Sequence, residues 1–401
     1  MRVAIVSFYL MESTIPLAKY LSLKGVEVDV FCVLPHSNQN TYVVDFLRNK
    51  QPIGFVKEKI TSNTMGDKLC NYLSDIKTRF FIFPDGRFER LFLKDFYYAF
   101  KLAEYINNKG YDIIHIIHTS RRFWLFFYFF MPKNKIIQTL HEVTSHEGKT
   151  SFLVLQKLKW LIKNSTPIIF HSEISKKRFI DFRKAFFPNK RLHNDFTIIR
   201  FGLFETYYCF SDNSIELPKK NMLKILNFGR IVPSKGIHFL IDAVKQLQIT
   251  HPIHLTIAGE GQPYFDLSEI KSYEFINRFI TNEEIVTLIK ECDVVVLPYT
   301  SASQSGIPMT VFAFNKPIIA SNIDGFKEVI DNFETGILVD HLDKDSLAKS
   351  IEIFLSDSNL KSKMRENIKN KYTSGDFSWP SIAAKTVDFY AEQITRNFKQ
   401  K

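Results

Sequence analysis

Cysteine is scarce in this chain of 401 residues, which contains four cysteines placed far apart. No two of them form a C-x-x-C pair, so neither a disulfide-stapled scaffold nor a cysteine-based zinc cluster can be built from them. We interpret them as free thiols in a reducing compartment. Hydrophobic residues make up 45% and charged residues 24%, a balance typical of globular proteins rather than of disordered tails or coiled coils. The four are Cys32, Cys70, Cys209 and Cys292.

Long apolar runs are also missing. The longest, 123–131, is bounded by two arginines and by a Pro-Lys pair, whereas a membrane-spanning helix needs about 20 apolar residues. The apolar opening 2–8 resembles a strand and is not followed by a small-residue cleavage site. We therefore expect a cytoplasmic protein, with any membrane contact limited to peripheral attachment at the inner face.

Excess positive charge is confined to the first half of the chain. Residues 1–200 carry 31 basic and 17 acidic side chains, and residues 201–401 carry 22 and 25. A basic half beside a neutral half predicts one domain that meets an anionic surface, either lipid or nucleic acid. The usual nucleic-acid-binding motifs are missing, so we expect a membrane and no nucleic-acid partner. The aromatic run 123–130 fits a membrane contact and fits a buried helix equally well.

Short apolar strands alternate with amphipathic helices along the whole chain, which is typical of parallel, doubly wound sheets. The rhythm breaks near 203–220 and predicts two Rossmann-like α/β domains, 1–205 and 206–377. Because ligands of such sheets bind beyond the carboxyl ends of the strands, we expect the site in a cleft where the two domains face each other. The predicted strands are 2–8, 27–33, 112–118, 135–141, 167–172, 195–201, 222–228, 253–258, 273–279, 293–299, 317–321 and 336–340. The predicted helices are 14–24, 89–108, 121–130, 149–164, 173–186, 235–248, 281–291, 306–314, 325–331, 343–356, 359–371 and 378–397.

The strongest chemical signal is the segment Phe228-Gly-Arg-Ile-Val-Pro-Ser-Lys-Gly236, which follows a strand and opens a helix. Gly229 allows a close turn, and Arg230 and Lys235 place two cations at the carboxyl end of the strand. The positive end of the helix dipole adds to their field. Together these groups predict a receptor for a diphosphate. An ordinary strand–turn–helix with surface cations is consistent with the same residues.

The segment resembles the G-R-x-x-x-x-K-G motif of family-4 glycosyltransferases with the GT-B fold, the type that builds bacterial surface polysaccharides. Further segments resemble other motifs of that family, in the same order along the chain. They are Ile257-Ala-Gly-Glu-Gly261, Asp293-Val-Val-Val-Leu-Pro-Tyr299, Gln304-Ser-Gly-Ile-Pro308, Asn315-Lys-Pro-Ile-Ile-Ala-Ser321, Gly325-Phe-Lys-Glu-Val-Ile330 and Thr335-Gly-Ile-Leu-Val339. The resemblance is strong over 222–345 and weak in the first half.

The resemblance implies that Arg230 and Lys235 bind the diphosphate of a UDP- or GDP-sugar and stabilise the leaving nucleotide, with no metal and no further cofactor. It implies backbone amides of Ser305 and Gly306 for the distal phosphate. It also implies that the final helix, within 378–401, packs back on the first domain. The full set of implied donor-binding residues is Gly229, Arg230, Lys235, Gly259, Ser305, Gly306, Thr310 and Glu328.

One departure from the family pattern concerns the donor loop. Family members often carry two glutamates eight positions apart, and those positions hold Ala302 and Thr310 in this chain. The second glutamate usually contacts the nucleotide ribose and the first contacts the sugar. We expect Thr310 to supply one weaker hydrogen bond and Glu328 to substitute in part.

Residues expected near the reaction centre also occur in the first half. His141 follows a predicted strand and resembles the family histidine at that place, which implies a catalytic role beside Arg230 and Lys235. Ser13 or Thr14 would cap the first helix in place of the family's glycine-rich loop. The implied acceptor contacts are Ser13, Thr14, His118 and His146. The spacing of the histidines and glutamates after 140 does not match the helical H-E-x-x-H pattern, so no metal site is expected.

The function implied is transfer of a sugar, with retention of configuration, to a glycan or lipid-linked acceptor in surface polysaccharide synthesis. Two alternatives stay open on the sequence. One is an inactive member that acts as a membrane-associated scaffold through its basic half. The other is a sugar-nucleotide epimerase of the same fold, which would need acid and base groups on both sides of the cleft.

Overall fold

The structure is a computed structural model. It describes the chain except at residues 9, 38, 40–49, 85–91, 118–122, 142, 144–151, 189–194, 212–221, 269, 302–304, 341–343 and 400–401. The chain divides into two compact units, one formed by Met1–Gly202 with Asp376–Lys401 and the other by Leu203–Gly375. The sequence places the limits of the domains at 205/206 and 377/378.

The first unit is built on an eight-stranded sheet whose order is β3-β4-β2-β1-β5-β6-β7-β8. Seven strands are parallel, and the two-residue β3 pairs antiparallel with β4 at one edge. The central strand β1 is buried along nearly its whole length, because helices cover both of its faces. The strands are β1 (Arg2–Phe8), β2 (Glu27–Pro35), β3 (Gly54–Phe55), β4 (Lys77–Phe83), β5 (Ile113–Ile116), β6 (Ile136–Leu140), β7 (Ile168–Phe170) and β8 (Phe196–Ile198).

The helices of the first unit include the last one in the chain. This helix packs on α1, with the rings of Tyr20 and Trp379 stacked at 6.2 Å, and it is further tied by an ion pair between Arg396 and Asp195. The helices are α1 (Met11–Leu23), α2 (Glu58–Met65), α3 (Asp67–Tyr72), α4 (Phe92–Asn107), α5 (Phe123–Phe130), α6 (Phe152–Lys163), α7 (Glu173–Phe186) and α14 (Trp379–Lys399).

The second unit has a six-stranded, fully parallel sheet in the order β11-β10-β9-β12-β13-β14. Its strands are β9 (Leu223–Phe228), β10 (Ile253–Gly259), β11 (Tyr273–Asn277), β12 (Val294–Leu297), β13 (Ile318–Ser321) and β14 (Gly336–Val339). Its helices are α8 (Ile237–Leu247), α9 (Asn282–Glu291), α10 (Ile307–Ala313), α11 (Asp324–Lys327), α12 (Lys344–Ser356) and α13 (Ser358–Ser374). Because β9 lies at the centre, the loop after it opens beside the loops after β10 and β12.

The first helix differs from its prediction. It begins at Met11 rather than at residue 14, so Ser13 and Thr14 lie in its first turn and do not cap it. The Thr14 hydroxyl instead donates to the carbonyl oxygen of Leu10 at 2.5 Å and lies 3.0 Å from the hydroxyl of Ser7, inside the unit. The error arises because serine and threonine favour the N-cap position, whereas here they lie inside the helix. Ser172 caps α7, since its side chain accepts from the backbone N–H of Ser175.

In the aromatic helix α5, the side chains described from residue 126 onward include both buried and exposed ones. Phe126, Phe127 and Tyr128 are buried in the core of the first unit, whereas 74% of Phe129 is exposed. The buried-helix interpretation of the aromatic run therefore holds for these three residues, and the membrane contact stays a prediction. Within the described residues, every helix is too short or too polar to cross a membrane.

Candidate active site

The loops after β9 and β10 meet through glycines. Gly259 adopts φ 153°, and a Cβ at that position would lie 1.8 Å from the carbonyl oxygen of Gly229. The N–H of Gly229 donates to the carbonyl oxygen of Ala258 at 2.9 Å, and Ile231 forms a bridge with Gly261. Side chains are therefore excluded from this contact, and the backbone after β9 is fixed by the backbone after β10.

Lys235 is presented by a short turn between β9 and α8. Residues Pro233–Lys235 form one 3₁₀ turn, and Gly236 follows in the left-handed conformation at φ 63°. A Cβ on Gly236 would lie 1.8 Å from the carbonyl oxygen of Pro298, so the turn lies directly against the loop after β12. The N–H of Thr300 completes this contact by donating to the carbonyl oxygen of Ser234 at 3.0 Å.

Arg230 and Lys235 form a pair of cations beyond the carboxyl end of β9. Arg230 is exposed, whereas Lys235 is half-buried with its Nζ 3.6 Å from the centre of the Tyr299 ring. Burial, and to a lesser degree the charge of Arg230, lower the pKa of Lys235 to about 8. Burial and the neighbouring charge thus disfavour the charged form of Lys235, and an anion bound beside it would stabilise that form.

The other implied donor residues lie in the same unit. Ser305 and Gly306 directly precede α10, and Gly306 is exposed. Thr310 is buried, and its hydroxyl donates to the carbonyl oxygen of Gly306 at 3.5 Å, so its hydrogen is directed into its own helix. Glu328 is half-buried at the end of α11. Contact of these four residues with a donor stays a prediction, and Ala302 lies outside the described residues.

In the first unit, His141 directly follows β6 and lies in an aromatic group. Its ring stacks on Phe201 at 5.4 Å and lies 4.8 Å from the ring of His171. Phe201 and His171 stack closely at 3.9 Å, and the Nδ1 of His171 contacts the carbonyl oxygen of Ile199 at 2.7 Å. Burial lowers the pKa of His171 to about 4, so its ring is neutral. His141 is thus held by a neutral, mostly apolar group at the carboxyl end of β6.

A small cavity of about 30 Å³ lies beneath this group and has room for one water molecule. His115 lines it and is buried. Its ring nitrogens contact the hydroxyls of Tyr390 and Thr139 at 2.6 and 2.7 Å. Burial lowers the pKa of His115 to about 3, so the ring is neutral and structural. Ser13 also lines the cavity, with its hydroxyl 3.4 Å from the carbonyl oxygen of Leu10.

Two of the four predicted acceptor residues lie in the described part of the chain. Ser13 and Thr14 are buried, so their place as acceptor contacts stays a prediction that their burial does not favour. His118 and His146 lie outside the described residues. Among the residues that the structure describes, no group of three or more histidines, cysteines, aspartates or glutamates could hold a metal ion.

Sequence reasoning missed Glu12, which lies in the first turn of α1 just beyond the carboxyl end of β1. It is 5% exposed, and its Oε2 makes no hydrogen bond within the described structure. Burial raises the pKa of this carboxyl to about 8, so it is protonated at neutral pH. A glutamate followed by two hydroxyl residues near a helix start gives no signal of burial, because such residues are usually exposed caps.

Two Rossmann-like units with these sheet orders define the GT-B fold, and solved structures support that assignment. Sucrose-phosphate synthase from Thermosynechococcus elongatus matches with a TM-score of 0.66 at 17% identity, covering 99% of this chain and 100% of that one. Anabaena HepE, solved in complex with UDP and glucose, matches with a TM-score of 0.63 at 14% identity, covering 98% and 100%. The predicted fold class is confirmed.

Sequence comparisons give a narrower grouping. Residues 211–371 match the family model described as glycosyl transferases group 1. Glycogen synthase of Mycobacterium tuberculosis is 26% identical over 268 residues, which are 64% of this chain and 62% of that protein. The putative glycosyltransferase YtcC of Bacillus subtilis is 25% identical over 76% of this chain and 78% of its own length. The chain thus spans about three fifths of the first of these relatives, and both sequence relatives carry the names of sugar-transferring or glycogen-building enzymes.

Proposed function

We propose that the protein is a glycosyltransferase that moves a sugar from a nucleoside-diphosphate donor to a glycan or lipid-linked acceptor. The observation that carries the proposal is the Arg230–Lys235 pair at the carboxyl end of the central strand β9. Glycine contacts fix the backbone that carries both cations, and the pKa of Lys235 is lowered to about 8. HepE, which shares the fold, is solved in complex with UDP and glucose, and this supports a UDP-sugar as donor.

The chemistry of the transfer is determined by the negative charge that develops on the leaving diphosphate. The bond between C1 of the sugar and the distal phosphate oxygen breaks, and its electron pair passes to that oxygen. The acceptor hydroxyl oxygen forms the new bond to C1, and its proton passes to the departing phosphate oxygen. Arg230 and Lys235 stabilise the diphosphate as its charge grows, which is the main electrostatic task in such a transfer. Because two side-chain cations supply this charge, we propose that the reaction needs neither a metal nor a cofactor. From the resemblance to retaining family members we also propose that it proceeds with retention of configuration.

A role in polysaccharide synthesis is favoured by the names of relatives. CapM of Staphylococcus aureus, named a capsular polysaccharide biosynthesis glycosyltransferase, is 26% identical over 259 residues, 57% of this chain and 63% of its own length. We propose a growing surface glycan or its lipid-linked precursor as acceptor, with His141 at the reaction centre. The chain combines the Arg230–Lys235 pair with an altered donor loop, so the donor sugar is the property to be measured first.

The experiment is release of nucleoside diphosphate from a panel of UDP- and GDP-sugars, with lipid extracts and oligosaccharides as acceptors and EDTA present. Release that needs an acceptor and is lost in Lys235→Ala supports the proposal. The matched control is Lys349→Ala, which removes an exposed lysine of α12. If the wild type binds a sugar nucleotide but no acceptor ever releases the diphosphate, the inactive scaffold replaces the enzyme.

We also propose that the first unit attaches peripherally to the inner face of an anionic membrane. In addition to the excess charge of residues 1–200, α4 and α5 expose apolar side chains: Leu93 is 78% and Phe129 74% exposed. The ring of Phe130 on α5 contacts both helices, since its centre lies 5.3 Å from the ring of Phe129 on α5 and 4.9 Å from the ring of Phe96 on α4. Apolar anchors beside lysines are typical of interfacial contact.

Vesicle flotation tests this attachment. We expect binding to vesicles with anionic lipid and little to neutral ones, and at least a fivefold loss in the double variant Leu93→Ser, Phe129→Ser. Ile249→Ser is the control, because Ile249 is 74% exposed in the second unit. Equal partitioning to both lipids, or equal loss in the control, argues against membrane attachment.

A further inference from the structure

Tyr299 is a buried residue with an unusual set of neighbours. It follows β12 and Pro298, and only 1% of it is exposed. Its ring packs against Phe326 at 5.1 Å, which fixes the plane of the ring from inside the unit. Nothing in the implied donor set includes this position.

The face of the Tyr299 ring lies beneath the Lys235 ammonium. The Nζ of Lys235 is 3.6 Å from the ring centre, a close distance for a cation over an aromatic face. The two loops that carry these residues are joined by the Thr300–Ser234 hydrogen bond and by the contact of Gly236 with Pro298. The ring and the cation are therefore held in register by backbone contacts.

The hydroxyl end of Tyr299 is directed toward the donor loop. It is buried and makes no hydrogen bond of normal geometry among the described residues, and the Ser305 side chain is the polar group that acts on it. Burial raises the pKa of the phenol, and the Ser305 hydroxyl acts against that rise. The face of the Tyr299 ring thus contacts the Lys235 ammonium, and its hydroxyl end approaches Ser305 in the loop before α10.

From these contacts we infer that Tyr299 is a positioning residue that holds the Lys235 ammonium in place for the donor diphosphate. The inference rests on the proposed function, because it assigns a role at the same site. A lysine has four rotatable bonds, and the ring restricts the ammonium to one place before the ligand arrives. This lowers the cost of ordering the side chain on binding. The ring also favours the charged form of the amine, since its negative face attracts the cation.

The test keeps the shape of the ring and removes its negative face. Tyr299 is replaced by phenylalanine and then by phenylalanine with one, two or five fluorine atoms, and UDP binding is measured by calorimetry at several pH values. We expect Tyr299→Phe to bind UDP within about threefold of the wild type. Each added fluorine is expected to weaken binding, to about tenfold in the pentafluoro form, or about 1.4 kcal/mol. The pH above which binding declines should fall along the same series.

Two controls separate positioning from packing. In the Lys235→Met background the fluorine series should leave UDP affinity unchanged, because the cation is missing. Pentafluorophenylalanine at Phe354 should also leave it unchanged, although Lys361 lies 5.3 Å from that ring. UDP binding that is independent of fluorination at 299 would overturn the inference and leave the proposed function intact. A wild type that binds no nucleotide would overturn both.

Discussion

Gly259 and Gly229 are in direct backbone contact, so close that a Cβ on Gly259 would lie 1.8 Å from the carbonyl oxygen of Gly229. The backbone that leads into Arg230 is thereby set by a neighbouring strand rather than by its own loop. The position of the cation pair is a property of the whole parallel sheet. Substitution of Gly259, which carries no charge itself, should therefore affect nucleotide binding.

We predict that Gly259→Ala destabilises the second unit by about 2 kcal/mol or more and weakens UDP binding, because the two loops must separate. Thermal unfolding and calorimetric titration with UDP measure the two effects. Gly25→Ala is the control, since Gly25 also has a positive φ of 80°, but no atom of the described residues lies within 4 Å of a Cβ placed there. Its effect should be limited to backbone strain of about 1 kcal/mol. Equal effects of the two variants on UDP binding would contradict this explanation.

A second prediction concerns pH. The pKa of Lys235 is lowered to about 8, so the ammonium is charged below that pH and loses its proton above it. UDP affinity should therefore be constant near pH 7 and fall as the pH rises through about 8. The phosphates of UDP stay fully ionised over this range, because their last pKa lies near 6. Calorimetry between pH 7 and 9.5 measures the decline, which should be missing in Lys235→Met and retained in Lys349→Ala. A flat profile in the wild type would show that Lys235 does not contact the diphosphate.

A third prediction concerns the buried Glu12. Its pKa is raised by burial from 4.5 to about 8, so between these values the folded protein holds a proton that the unfolded chain has lost. The free energy of unfolding should fall as the pH rises from about 4.5 to 8, by up to about 5 kcal/mol. Glu12→Gln should remove this slope and be the more stable protein at pH 9. Urea unfolding at pH 6 and 9 measures it, with exposed Asp75→Asn as control. The same slope in both variants would exclude Glu12 as its source.

Much of the fold was predictable because periodicity is a local property. Strand 2–8 and helix 173–186 have their predicted bounds, and most other elements end within three residues of theirs. The segment between β2 and α4 is the exception, since no element was predicted where α2, α3, β3 and β4 lie. In β4 the first three residues, 77–79, are all polar and only Phe80–Phe83 form an apolar run. This strand borders β3 near one edge of the sheet and lacks the continuous apolar pattern of a central strand.

The candidate site was predictable in part for a related reason. The glycines and cations of 229–236 lie within one short motif, so their types and spacing carry the signal. The contact between Lys235 and Tyr299 joins residues 64 positions apart and depends on which strands are neighbours, which the motif does not contain. The burial of Glu12 is also a tertiary property, because the local sequence resembles an exposed helix start.

The central claim is that Arg230 and Lys235 together bind a diphosphate, and calorimetric titration of UDP into four proteins tests it most directly. The proteins are the wild type, Arg230→Ala, Lys235→Ala and the control Lys349→Ala. We predict that each of the first two variants weakens binding at least tenfold, about 1.4 kcal/mol, while the control binds as the wild type does. Unchanged UDP affinity in both Arg230→Ala and Lys235→Ala would contradict the claim.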